Sequence, residues 1–182
     1  MPNQLLAICF DFGDTLVDQG TEIKDETLVT LRGELIPGVS QLVPELKRRG
    51  YRLGIVSNGP VMNVPNVLIA HGLWDKFDVC AVSEGLGMEK PDPHIFRYAL
   101  DRLGVEPDQV GRTVMVGNDL AADVAGANGM GMISVWLNWA PRHRKMPVGD
   151  LEIAQHTIEE PLALLPLIEE LEQTLSRGRT DA

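Results

Sequence analysis

Asp11 is the residue around which chemistry can be built. The apolar run Leu5–Leu6–Ala7–Ile8–Cys9–Phe10 stops at it, and a polar, glycine-containing turn follows. A buried strand that is apolar on both faces reads this way, and its carboxyl end delivers one carboxylate into a crevice. A carboxylate held there can attack phosphorus and form an acyl phosphate; the same residue also suits capping of the next turn. Its charge repels a phosphate dianion unless a cation stands between them. Metal ligands are therefore required nearby, and Asn118, Asp119 and Asp123 follow directly on the run Thr113–Val116. Hard oxygen ligands suit Mg²⁺, which keeps several waters and takes one or two carboxylates. The same three residues equally suit N-capping of a helix from Leu120.

Two further stretches fit a phosphate site. Ser57–Asn58–Gly59 ends another apolar run, and a hydroxyl with adjacent backbone N–H groups at a helix start holds phosphate oxygens. An ordinary strand-to-helix turn has the same composition. Lys90, ahead of Pro91, is either a solvated surface lysine or a cation that neutralises the phosphate and keeps Asp11 ionised. Each signal is weak alone; their order and spacing give them weight together.

Positioning these residues takes an α/β fold. Apolar runs at 5–10, Tyr51–Ser57, Phe77–Val82, Thr113–Val116 and Met132–Leu137 alternate with helical patterns. The alternation predicts a three-layer, Rossmann-like parallel sheet flanked by helices, with right-handed crossovers. One helix runs from Pro37 to Arg49, with Pro44 implying a late start or a kink. A second, over 60–72, is expected to break near Pro65. A third starts on Asp92 and Pro93 and ends at Gly104, a short one covers Leu120–Asn128, and a last one covers Pro161–Leu175. Residues 17–36 read as a short flap or irregular helix, and 141–150 as a basic loop. The expected organisation is a single domain over 1–175 with a disordered tail over 176–182.

Composition narrows the partners. A formal charge of −10 on 182 residues repels polyanions, so nucleic acid and anionic membranes are not expected. Cys9 and Cys80 lie inside apolar runs, which suits a reducing compartment rather than a disulfide framework. The N-terminal Met1–Pro2–Asn3–Gln4 has no basic character, and no apolar run reaches membrane-spanning length. A soluble cytoplasmic protein is the expectation.

Asp11, Ser57, Lys90 and the Gly117–Asn118–Asp119…Asp123 segment, in this order, resemble the four motifs of the haloacid dehalogenase (HAD) superfamily. The resemblance runs from about residue 5 to about residue 137. It implies Mg²⁺-dependent hydrolysis through an aspartyl intermediate on Asp11, most often of a phosphate monoester on a small molecule or a phosphoprotein. Ser57 and Lys90 would bind the phosphate, and Asp11, Gly13, Asn118, Asp119 and Asp123 form the candidate metal set. The phosphatase form of the first motif is Asp-x-Asp-Gly-Thr, whose second Asp is the general acid/base. Here Gly13 stands at that position, keeping the metal-binding backbone carbonyl and losing the proton shuttle. General acid/base help is worth about 10²–10⁴-fold in rate, so a slow enzyme or a replacement group follows, and Asp14 is one candidate.

Counting from the strand end makes Asn118 the first residue of the acidic motif, whereas counting back from Asp123 picks Asp119. The strand-anchored count is preferred, because the strand's end fixes which side chain faces the crevice, and Asp119 is then available to compensate for the neutral amide. Only about twenty residues separate Leu16 from Pro37, too few for a cap domain. Capless relatives take large substrates or cover the site with a neighbouring subunit, so a homo-oligomer is one expectation. Arg142–His143–Arg144–Lys145 is the densest basic run and should emerge beside the site, where it would draw in anions. Trp136 and Trp139 precede it, available to pack on a substrate or on a partner subunit; a plain solvated loop is the other reading. Two rival functions stay open. A haloacid dehalogenase is disfavoured by the acids around 118–123, and Gly13 leaves room for a catalytically impaired binding or regulatory subunit.

Overall fold

The computed structural model describes residues 3–178. A six-stranded parallel sheet forms its middle layer, built from β1 (Ala7–Phe10), β4 (Arg52–Ser57), β5 (Val79–Val82), β6 (Thr113–Gly117), β7 (Ile133–Leu137) and β8 (His156–Ile158). The strand order is β5-β4-β1-β6-β7-β8, which places β1 at the centre, paired to β4 through Phe10↔Ile55 and to β6 through Phe10↔Val116. All these strands run the same way, so their carboxyl ends share one edge.

Side-chain alternation along β1 divides the core. Ile8 and Phe10 pack with α1 (Val39–Arg48), α2 (Asn63–Ala70) and α6 (Leu164–Gly178), while Ala7 and Cys9 pack with α4 (Pro93–Arg102) and α5 (Ala125–Met130). Helix α1 buries Val39, Leu42, Val43 and Leu46, and α4 buries Ile95, Phe96, Ala99 and Leu100. Each of these side chains except the small Ala99 contributes about 1.5–3 kcal/mol when withdrawn from water. Two dry layers therefore hold the sheet rigid from both sides, and the functional edge inherits that rigidity.

Several expectations change. Helix α1 starts at Val39 and runs through Pro44. Helix α2 is not broken at Pro65, because it begins at Asn63; Pro65 then lies in the first turn, where backbone N–H groups have no intrahelical acceptor. Residues 17–36 hold no α-helix. They form a 3₁₀ turn at Gln19–Thr21 and an antiparallel hairpin of β2 (Ile23–Lys24) and β3 (Thr30–Arg32), a flap beside the sheet edge. The segment after β6 opens as a π turn over Leu120–Val124 before α5. A four-residue helix α3 (Ser83–Leu86) follows β5. Strand β8 was not expected, being three residues long and set among polar neighbours. Helix α6 continues through Ser176 to Gly178, so that part of the expected tail is helical; residues 179–182 lie outside the described residues. Among the described residues no helix is long and apolar enough to cross a membrane.

Candidate active site

A cavity of about 470 Å³ opens at the carboxyl edge of the sheet, lined by Asp11, Ser57, Asn58, Lys90, Asn118 and Asp123 among others. Asp11 extends β1 and donates its N–H to Val116 O at 2.9 Å. Lys90 stands between two carboxylates, its Nζ 2.6 Å from Asp11 Oδ1 and 2.6 Å from Asp123 Oδ1. Burial works against its charge, but Asp11 and Asp123 outweigh burial, and the amine is held well above its usual range. Burial raises the Asp123 carboxyl to about 7; Lys90 opposes that rise and Asp11 adds to it. Gly117 makes room for Asp123, because a Cβ there would sit 2.2 Å from Asp123 Oδ2. That oxygen also accepts from Asp119 N at 3.0 Å.

One ammonium thus faces two buried carboxylates, an arrangement short of positive charge. The oxygens beside Asp11 are of the hard kind that Mg²⁺ takes. The atom of the Asn118 amide turned toward Asp11 lies 3.1 Å from both Asp11 Oδ2 and Gly13 O. With Oδ1 in that place, three acceptors converge, sharing only the Thr15 hydroxyl, 3.3 Å from Asp11 Oδ2 and 3.4 Å from Asn118 Oδ1. Adjacent ligands of an octahedral Mg²⁺ bound at 2.0–2.1 Å stand about 3 Å apart, which matches the two 3.1 Å distances from the amide. Turned over, the amide donates to Asp11 Oδ2 and Gly13 O and accepts from His143 Nε2 at 2.9 Å, an arrangement that needs no cation. Among the described residues no group of three His, Cys, Asp or Glu side chains gathers as a metal cluster; the oxygen set is one carboxylate, one backbone carbonyl and one amide. Trp136 steadies it by donating Nε1–H to Asn118 O at 3.0 Å.

Other candidates are committed elsewhere. Asp119 sits at the cavity rim, but its Oδ1 accepts from Ala121 N at 2.8 Å and Ala122 N at 3.0 Å, capping the π turn. Asn58 uses its side chain to grip the backbone of Lys90, accepting at 2.8 Å and donating at 3.2 Å. The Gly59 N–H goes to Ser83 Oγ at 2.9 Å rather than toward the cavity. Ser57 lines the cavity, with a single long contact of 3.5 Å to Asn58 O.

Asp14 departs furthest from its expected place. It is fully buried, with a left-handed φ of 53°, a conformation Asp tolerates better than most residues. Its carboxylate accepts from Arg142 Nε at 2.7 Å, from His143 Nε2 at 2.6 Å and from Gln19 N at 3.0 Å. Burial raises its pKa, yet Arg142, His143 and the Gln19 N–H together bring it below the usual carboxylate range. Asp14 is thus a clamp on two loops and does not line the cavity. The basic run is correspondingly spent: Arg142 also pairs with Asp18 at 2.5 Å, Arg144 with Glu152 at 2.6 Å, and Lys145 donates to Ala140 O at 2.6 Å. His143 alone of the four reaches the main cavity. The flap adds Gln19, Glu22, Lys24, Thr27 and Leu28 to the lining, with Glu22 and Lys24 ion-paired at 2.9 Å. None of these carried a signal in the sequence, because the residues of a short flap follow no period.

The pattern of the haloacid dehalogenase-like hydrolases matches residues 8–131, and the chain belongs to that family. A glyceraldehyde 3-phosphate phosphatase of Methanopyrus kandleri is 34% identical over 135 residues, which are 74% of this chain and 57% of that protein. A phosphoserine phosphatase of Thermus thermophilus is 35% identical over 107 residues, 59% of this chain and 42% of that protein. The chain spans about half the length of the curated relatives it matches. The crystal structure of a HAD phosphatase from Thermococcus onnurineus superposes with a TM-score of 0.64 at 35% identity, covering 74% of this chain and 58% of that one. A dehalogenase structure superposes at 0.74 over 92% of this chain and 98% of its own, with 21% identity, a likeness in fold.

Proposed function

We propose that the protein is a Mg²⁺-dependent phosphatase that transfers the phosphoryl group of a small phosphate ester to Asp11 and then to water. The observation that carries this reading is Asp11 itself: Oδ1 is held by Lys90 at 2.6 Å, while Oδ2 lies 3.1 Å from the Asn118 amide, which lies equally close to Gly13 O. Asp11, Gly13 and Asn118 would hold Mg²⁺, which supplies charge neutralisation for the phosphoryl oxygens. Oδ1 is then the attacking atom. It bonds to phosphorus as the ester P–O bond breaks, and the leaving alkoxide takes a proton from water, since Gly13 has none to give. Lys90 and the Ser57 hydroxyl stand where they can bind the phosphoryl oxygens, Lys90 as a buried point charge.

The relatives and the cavity support one substrate class. Relatives carry the names of a glyceraldehyde 3-phosphate phosphatase, a phosphoserine phosphatase and a pyrimidine 5'-nucleotidase, all acting on monoesters of small organic molecules. A cavity of about 470 Å³ accommodates such a molecule. Three-carbon phosphates are the first choice. A panel of sugar phosphates, phosphoserine and nucleoside monophosphates, assayed with and without Mg²⁺, tests the proposal. Turnover should require the metal, and Asp11→Asn should abolish it without loss of fold. Metal-independent turnover, or an unaffected Asp11→Asn variant, would remove the mechanism.

A further inference from the structure

The position that lacks its acid/base carboxylate is not empty. Gly13 has no left-handed φ, so its backbone would accept a side chain. The space such a side chain would enter is occupied: a Cβ on Gly13 would lie 2.3 Å from Gln19 Nε2, 2.7 Å from its Cδ and 3.0 Å from its Cγ. The Gln19 carboxamide therefore lies where the missing group would begin, and it lines the same cavity as Asp11. Its backbone is fixed there. Gln19 N donates to Asp14 Oδ1 at 3.0 Å, and Asp14 is locked by Arg142 and His143. Asp18, one residue earlier, accepts from Gly20 N at 2.8 Å and from Arg142 at 2.5 Å. Among the described residues the carboxamide itself makes no hydrogen bond to the protein. An anchored backbone bearing an uncommitted amide at the mouth of a nucleophile's cavity is suited to hold a water.

We infer that Gln19 is a catalytic residue for the second half of the reaction, orienting the water that hydrolyses the aspartyl phosphate. The inference rests on the phosphatase reading above. Oε1 accepts a hydrogen bond from the water. The water oxygen bonds to phosphorus as the bond from phosphorus to Asp11 breaks, Asp11 leaves as a carboxylate, and the water proton passes to a phosphoryl oxygen, giving dihydrogen phosphate. An amide accepts a hydrogen bond but takes no proton at neutral pH. The step thus has positioning without general-base help, forgoing about 10²–10⁴-fold. With p-nitrophenyl phosphate, whose leaving group needs no acid, dephosphorylation is then the slow step, and the phosphoenzyme accumulates during turnover.

Rapid mixing of the Mg²⁺-loaded protein with p-nitrophenyl phosphate separates the two halves. Wild type should release a burst of nitrophenol, one per active site, followed by a slower steady state. Gln19→Ala should leave the burst rate within about twofold and lower the steady state about tenfold, as lost positioning does. Gln19→Glu, which restores a carboxylate at that spot, should raise the steady state by about tenfold or more and shrink the burst. Gln19 is exposed, so both variants should fold, and their melting temperatures check this. A wild type that turns over through Asp11 without a burst, or a Gln19→Ala variant with an unchanged steady state or a burst and steady state lowered alike, would overturn the inference. Failure of the phosphatase reading looks different: Asp11→Asn would then match wild type in both phases.

Discussion

On the sheet side of the cavity, Asp11, Asn118 and Asp123 hang from the ends or continuations of β1 and β6, and Lys90 is fixed between Asp11 and Asp123. On the loop side, Gly13, Asp14, Gln19, Arg142 and His143 belong to turns tied to one another by ion pairs. The sheet side is buried and carries the charge that would meet a phosphate. The loop side spends its charge on itself: Arg142, which the sequence offered as an anion attractor, closes on Asp14 and Asp18. Burial by two hydrophobic layers fixes the first group, and salt bridges between loops fix the second. A basic run beside the cavity is therefore not by itself a substrate contact.

Substitutions on the two sides should separate these roles, and the largest effect belongs to the sheet side. Lys90→Ala leaves Asp11 and Asp123 buried without their cation. It should cost about 3–5 kcal/mol in denaturant unfolding and abolish turnover. A fall of under 1 kcal/mol would mean that these carboxylates do not depend on Lys90.

Asp14→Asn should cost less, about 1–2 kcal/mol, since the Arg142 arm is 41% exposed and partly screened. The Asp14 pKa is depressed in the fold, so its contribution is fully present above the unfolded value of 3.8 and is lost as pH falls through the lower folded value. The stability gap between wild type and Asp14→Asn should accordingly be constant above about pH 5 and close in stronger acid. A gap that widens on acidification would contradict the clamp.

Asn118 and Asp119 give a finer test. Asn118→Ala should raise the Mg²⁺ concentration needed for half-maximal activity about tenfold or more. Asp119→Ala should leave that requirement alone and lower stability by about 0.5–2 kcal/mol, the loss of a helix cap. The reverse pattern would make Asp119 the ligand. Smallest of all, Arg144→Ala should leave the melting temperature and KM unaltered at both low and high salt. Its ion pair with Glu152 is exposed, and it does not line the main cavity.

The same division explains what could be read from the sequence. The strands carrying Asp11, Ser57 and Asn118 announce themselves as apolar runs, because both faces of a parallel sheet are buried, and each run ends where chemistry begins. Asp92 and Pro93 likewise mark the start of α4, a start that depends only on local capping. Asp14 could not be placed, because its partners Arg142 and His143 lie 128 and 129 residues away. Gln19 could not be found either, since what makes it notable is its distance from a glycine. The end of the fourth apolar run already favoured Asn118 over Asp119, and the side chain of Asp119 is spent on capping the π turn. Strand β8 escaped because three residues cannot show a period.

The central claim is that Asp11 carries the phosphoryl group, and trapping it is the most direct test. Protein quenched in acid during turnover with Mg²⁺ and substrate should gain one phosphoryl group by intact mass, labile to hydroxylamine. Peptide mapping after reductive trapping should place it on Asp11. That label should appear in wild type, rise in Gln19→Ala and be absent from Asp11→Asn. A turning-over enzyme whose phosphoryl group maps to another residue, or is retained by Asp11→Asn, would contradict it.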